Sequence, residues 1–347
     1  MTVVLPALAV VVTVLIVTGF ATRFRLPAPL LLTVVGVGAS FLPFVPDIHL
    51  DPELVLVGIL PPLLYAAAIR SSLIDFRDNR VAIGFLSVGL VIVTALGVGL
   101  VAWWLLPIPF AAAFALGAVV APPDAVAATA IGRRIGLPRR LVTLLEGESL
   151  LNDATALVCL STAAAAITGT VTVWGVGGSF LLSAAGGLAV GIVVAFVINW
   201  VHRRFTDAVT NTALSLITPF LAFLPAQAIH GSGVLAVVVA GLLIAHSAPR
   251  VQTAASRLGE RTNWSAIQFL LENGVFLIIG LQMRTILGAV SSSQLPWATT
   301  LVAAGGVLLA VIVLRPLWVF PARFLMRQTA LAVAGAVSGT GSVFGSG

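Results

Sequence analysis

Apolar residues in this chain come in long runs, broken by small groups of arginines or by a few polar residues. The runs fall at about 3–20, 26–46, 54–69, 81–106, 110–130, 141–168, 178–200, 208–224, 230–246, 265–281 and 297–320. A helix that crosses the hydrocarbon core of a bilayer needs about 20 mainly apolar residues. Transmembrane β-strands would be about half as long and would alternate apolar with polar positions, a pattern the chain does not show. The runs therefore predict an all-α polytopic membrane protein with about 11–12 spans. Residues 1–329 form the transmembrane region. After Arg327 a further apolar start dissolves into Gly and Ser, so 330–347 reads as an incomplete further span or a Gly/Ser-rich tail.

Composition strengthens this reading. Of 347 residues 59% are hydrophobic and 9% charged, against roughly 25% charged in a soluble domain. The formal charge of +6 comes from arginines whose placement fits topology better than nucleic-acid binding. Sixteen of the eighteen follow alternate runs: Arg23 and Arg25, then Arg70, Arg77 and Arg80, then Arg133, Arg134, Arg139 and Arg140, then Arg203 and Arg204, then Arg250, Arg257 and Arg261, then Arg323 and Arg327. By the positive-inside rule that side is cytoplasmic, which puts the N-terminus outside and the protein in the plasma membrane. Met1 to Ala7 carry no basic residue, so the first run is read as a span rather than a cleaved signal. Cys159 is the single cysteine, which leaves no disulfide framework and no thiolate metal site.

Against this background the acids stand out. Twelve occur, and Asp124, Glu146, Glu148, Asp153 and Glu272 lie inside apolar runs, where an ionised Asp costs about 2.5–3.5 kcal/mol on insertion scales. Helical spacing puts Glu146, Ser149 and Asp153 along one stripe, with Asn152 beside Ser149. A carboxylate, a hydroxyl and an amide are the hard oxygen ligands that an alkali cation takes, and a buried carboxylate can hold either a proton or a cation. Asp124 follows Pro122 and Pro123 in the middle of the fifth run. Prolines free backbone carbonyls, and broken helices are where transporters coordinate ions; Asp124 capping the following half-helix is compatible with that role.

Arg315 lies inside the eleventh run and requires a counter-ion or a snorkelling route, with Glu148 as the candidate partner. Glu272 and Asn273 form a second polar pair among aliphatics, which serves either ion contact or helix–helix adhesion. His49, His202, His230 and His246 fall in loops or at span ends and are expected to be solvated.

Pro123-Asp124 in a mid-membrane break, followed by Gly-Glu-Ser-Leu-Leu-Asn-Asp at 147–153, resembles the Na+/H+ exchanger family, in its electroneutral Asn-Asp branch. The resemblance extends to Phe-Leu-Leu-Glu-Asn-Gly-Val-Phe-Leu-Ile-Ile-Gly-Leu-Gln at 269–282 and to Arg315. It implies an inverted-repeat antiporter fold with discontinuous helices, a homodimer, and no cofactor beyond the transported Na+ (or K+ or Li+) and H+. It also implies that Asp153 binds cation and proton in turn beside Asn152. Ser149, Pro123 and Asp124 would complete the cation's shell, Glu148 and Arg315 would pair, and Glu146, Glu272 and Asn273 would be accessory.

Three departures stand against it. The Thr-Asp-Pro form of the broken-helix motif reads Pro-Pro-Asp here, Ala66 stands where many members have a glutamate, and the family continues past this point through a second broken helix. The expected function is exchange of a monovalent cation for H+, with a K+/H+ antiporter or a shortened, non-transporting member as alternatives. An intramembrane aspartyl protease lacks its Gly-x-Gly-Asp context, and a potassium-type channel lacks its carbonyl filter sequence.

Overall fold

A computed structural model describes residues 4–43, 45, 51–78, 80–123, 136–169, 173–205, 207–292 and 295–339. The side chains of some helical residues, Glu146 and residues 322–339 among them, lie outside that description. The helices are α1 (Val4–Arg23), α2 (Ala28–Ser40), α3 (Leu60–Arg70), α4 (Leu73–Asp78), α5 (Arg80–Gly84), α6 (Leu90–Leu105), α7 (Phe110–Val120), α8 (Arg139–Thr168), α9 (Val173–His202), α10 (Ala208–Ala228), α11 (Gly233–Val251), α12 (Ala254–Leu281), α13 (Met283–Ser292) and α14 (Trp297–Gly339). Wider π-helical turns at Leu54–Ile59 and Phe85–Gly89 lead into α3 and α6. Among the described residues no strand occurs, and eight helical stretches are long and apolar enough to cross a membrane. The all-α polytopic expectation holds.

Most helix limits follow the apolar runs, and the exceptions have local causes. The tenth run was expected to start at 265, but α12 begins at Ala254. Thr253 caps it by accepting the Ser256 N–H at 3.2 Å, and the polar first turns find partners inside the protein, so the helix forms before the apolar stretch starts. The fifth run was expected to continue to 130. Instead α7 ends at Val120, with the Ala121 N–H still bonded to the Gly117 carbonyl, and the chain leaves the helix at Pro122 and Pro123. Proline supplies no backbone donor to continue the ladder.

The chain divides into two compact units. Unit 1 comprises residues 1–78, 124–150 and 172–297, and unit 2 comprises 79–123, 151–171 and 298–347.

In unit 1, α2 lies against α12 where Gly36 meets Gly280. A methyl on Gly36 would collide with the Leu277 carbonyl, and one on Gly280 with the Thr33 carbonyl. Small residues allow this backbone approach, which replaces a hydrophobic driving force that lipid does not supply. Val14, Val17, Leu32 and Leu277 fill the space beside the crossing.

Unit 2 repeats the device where α6 meets α7, with Gly117 pressed on the Ala95 carbonyl. The neighbouring core of Val91, Ala95, Ala118, Ala121, Ala156 and Cys159 ties α6 and α7 to α8. On α14, the Trp318 indole donates to the Phe85 carbonyl at 3.3 Å and stacks on the Phe85 ring. Large apolar side chains such as Leu15, Ile16, Phe196 and Ile312 point outward, as helices facing hydrocarbon require.

Candidate functional site

The motif at 147–153 lies wholly within α8, so its spacing becomes real geometry: Ser149 and Asp153 are one turn apart on the same helix. Ser149 and Asp153 are half-buried, Glu148 is buried, and Asn152 is fully buried. The Asn152 amide donates to the freed Pro123 carbonyl at 3.5 Å. This bond joins the break after α7 to the motif of α8 within unit 2. Asn152 Oδ1 is buried and has no hydrogen-bond partner among the described residues. An amide oxygen left open in this way can present the negative end of its dipole to a cation.

Two of the expected site residues are thus brought together, Asn152 on α8 and Pro123 at the break, and Asp153 follows Asn152 on the same helix. Asp124 lies outside the described residues, as does the side chain of Glu146. Arg315 is half-buried on α14 in unit 2, while Glu148 belongs to unit 1. Glu272 and Asn273 sit on α12 in unit 1, where each has a partner on its own helix. Gln268 donates to Glu272 through a short hydrogen bond, and the Asn273 amide donates to the Phe269 carbonyl at 2.8 Å. Ala66, on α3, is fully buried.

One expectation is overturned. His202 is not solvated: it is 1% exposed, because α10, α11 and α12 close over the end of α9. His230 and His246 are exposed as expected, and His49 lies outside the described residues.

Around His202 the structure reveals a buried polar cluster in unit 1. His202 Nδ1 is 2.8 Å from Asn211 Oδ1, and the Asn211 amide donates to the Phe205 carbonyl and to Ser256. Gln252 Nε2 lies 3.4 Å from His202 Nε2 and 3.0 Å from Glu260 Oε2. Ser215 donates to Glu260 Oε1 at 2.5 Å and accepts the Trp264 indole N–H at 2.8 Å. Tyr65 packs on Trp264 with ring centroids 5.0 Å apart. Glu260 was not singled out from sequence because it precedes the apolar run and looked like a loop residue. The Thr253 cap signature, which extends the helix back to Ala254, is the signal that could have shown it.

The chain matches the sodium/hydrogen exchanger transmembrane family over residues 10–344. It is 36% identical over 310 residues to an uncharacterized Na+/H+ exchanger of Mycobacterium tuberculosis, a match covering 87% of this chain and 56% of the relative. It is also 36% identical over 270 residues to a sodium, potassium, lithium and rubidium/H+ antiporter of Bacillus pumilus, covering 75% of this chain and 40% of that protein. The chain thus spans about half the length of the curated relatives it matches. In fold it is similar to the sodium proton antiporter MjNhaP1 of Methanocaldococcus jannaschii, with a TM-score of 0.72 at 19% identity, covering 91% of this chain and 77% of that one. With a family match along nearly its whole length, and with the helix break and the α8 motif both present, this chain belongs to the sodium/hydrogen exchanger family of multi-span membrane proteins.

Proposed function

We propose that the protein exchanges a monovalent cation, Na+ first, for protons across the plasma membrane, with cation and proton competing for Asp153. The observation that carries this is the bond from Asn152, the residue before Asp153 on α8, to the Pro123 carbonyl at the helix break, with Asn152 Oδ1 buried and without a hydrogen-bond partner among the described residues. In this reading deprotonated Asp153, Ser149, the Pro123 carbonyl and Asp124 would supply the hard oxygens that a dehydrated alkali cation takes. When Asp153 takes a proton the shell loses its charge and the cation leaves. If only the neutralised carrier, loaded with cation or proton, changes the side it faces, exchange is obligatory. A salt link between Glu148 and Arg315 would hold the helices that carry this site. Glu146, Glu272 and Asn273 stand as accessory groups, and the assembly is read as a homodimer.

The relative from Bacillus pumilus, whose name includes potassium, lithium and rubidium, favours a second reading in which K+ is also carried. Ala66, where a glutamate is expected, removes one hard ligand and leaves a less demanding shell. The arginine-rich ends are read as cytoplasmic, with the N-terminus outside.

Reconstitution of this chain into vesicles with an internal pH dye tests the proposal. Addition of Na+ to acid-loaded vesicles should dissipate the pH gradient, with K+ and Li+ added in turn to rank the cations, and Asp153→Asn should abolish the response. Cation-dependent proton movement that persists in Asp153→Asn would overturn the role given to Asp153.

A further inference from the structure

On the arginine-rich side of unit 1, the ends of α3 and α11 and the start of α12 enclose a partly open cavity of about 350 Å3. Its charged wall is one face of α12, where Arg257, Glu260 and Arg261 lie within about one turn of each other. Arginines at this spacing repel, and an acid beside them would ordinarily pair with one of the two. Here it does not. Glu260 is 7% exposed and turned inward, where it accepts from Ser215 at 2.5 Å and from Gln252 Nε2 at 3.0 Å. Neither Arg257 nor Arg261 forms an ion pair among the described residues, and neither does Glu260.

The cavity thus holds charges of both signs that the protein leaves uncompensated, and its neutral wall adds acceptors. A carboxylate offers about four acceptor positions, so Glu260 can take donors beyond Ser215 and Gln252. Pro249 lies inside α11 and has no N–H to give the Ala245 carbonyl, and both residues line the cavity. The rest of the wall is apolar, with Ile69, Ile244 and Leu258, the last 70% exposed. A free phosphate would suit the arginines but would set a second negative charge against Glu260. An alkali cation would suit Glu260 and leave the arginines repelling each other. A primary ammonium joined to a phosphate by a short linker answers both.

We infer that this cavity binds the ethanolamine phosphate headgroup of a membrane lipid, with the phosphate on Arg257 and Arg261 and the ammonium on Glu260. Guanidinium groups match phosphate oxygens in paired hydrogen bonds. The ammonium brings three N–H donors and a positive charge to a buried carboxylate that has no counter-ion among the described residues. The apolar wall suits the glycerol and first chain carbons of a lipid, and arginine-rich helix ends lie at headgroup depth in a bilayer. Two other headgroups lack one half of this match. Phosphatidylglycerol has the phosphate without an ammonium, and phosphatidylcholine has a quaternary ammonium without an N–H. A bound headgroup would tie the ends of α3, α11 and α12 together. The inference does not depend on which ion is transported, nor on the role of Asp153.

The experiment titrates the full chain in detergent with phosphatidylethanolamine, phosphatidylglycerol and phosphatidylcholine of the same acyl chains, and counts bound lipid by native mass spectrometry. The wild-type protein should bind phosphatidylethanolamine roughly tenfold more tightly than either of the others, the scale of one charge-assisted hydrogen bond. Replacing both arginines, Arg257→Gln with Arg261→Gln, should weaken phosphatidylethanolamine binding by roughly tenfold or more. Glu260→Gln should instead erase the preference over phosphatidylglycerol. Equal affinity for phosphatidylethanolamine and phosphatidylglycerol in the wild-type protein, or a preference that survives in both variants, would overturn the inference. Free phosphoethanolamine binding as tightly as the lipid would overturn the assignment to a lipid. The comparison of the three lipids on the wild-type protein decides by itself should a variant fail to fold.

Discussion

Around Asp153 the polar groups come from one helix and the break facing it, whereas around Glu260 they come from the ends of α9, α10 and α11 together with α3 and α12. In the first cluster Asn152 reaches 29 residues back to Pro123; in the second, Ser215 reaches 45 residues to Glu260 and Gln252 reaches 50 to His202. Each contains a buried amide oxygen without a hydrogen-bond partner among the described residues, Asn152 Oδ1 and Gln252 Oε1. At Asn152 the open oxygen belongs to the side chain that reaches the Pro123 carbonyl at the helix break. At Gln252 it stands on an amide shared between a carboxylate and an imidazole. The two open oxygens thus sit among different neighbours, one at a helix break and one among helix ends.

The largest expected contrast is in transport. Asp153→Asn should reduce cation-driven proton movement in proteoliposomes to the level of empty vesicles, while Asp207→Asn, at an exposed helix cap, should leave it unchanged. Equal loss in both variants would mean that the assay reports folding and not the site.

A smaller effect is expected at Asn152. Replacing it with Ala removes the link to the Pro123 carbonyl and the open oxygen, and the half-saturating cation concentration should rise roughly 10-fold, the scale seen when groups that orient ion ligands are lost. An unchanged value would show that the link only braces the break.

The Glu260 cluster should respond in stability before transport. Glu260→Ala leaves the Ser215 hydroxyl and the Gln252 amide as buried donors without their acceptor, and should destabilise the protein by about 1–3 kcal/mol. Trp264→Phe, which removes one donor, should cost about 0.5–1.5 kcal/mol. Thermal unfolding in detergent measures both, and a Trp264→Phe loss exceeding that of Glu260→Ala would contradict the order of the chain of bonds.

The smallest effect concerns Asp207, whose carboxylate accepts from the Thr210 N–H and hydroxyl at 2.9 and 3.0 Å. These bonds hold its pKa below the usual carboxylate range. A carboxyl group lowered in the folded state stabilises above its unfolded value, and that contribution fades as pH falls through the folded one. Hydrogen exchange at Thr210 should therefore speed up only under strongly acid conditions. In Asp207→Asn that acid-dependent change should be absent; its persistence would assign the effect elsewhere.

Much of the Asp153 site was legible because its signal is local. Five acids inside apolar runs, two adjacent prolines and a seven-residue motif are all short-range features, and insertion energetics makes each conspicuous. The spans were legible for the same reason. The Glu260 cluster was not, since Glu260, Gln252 and His202 sit at helix ends among arginines, where polar residues are ordinarily solvated. Nothing in the local sequence marks His202 as buried and His246 as exposed.

By itself the sequence determined the helical class, the alternation of arginine-rich ends, the break after α7 and the placing of Ser149, Asn152 and Asp153 on one helix, because each follows from spacing along a single element. Only the tertiary structure decided that Asn152 meets the Pro123 carbonyl, that α2 and α12 touch at Gly36 and Gly280, and that His202, Gln252 and Glu260 share one amide. Those contacts join segments far apart in the chain, and they are fixed by how whole helices pack, which local composition does not encode.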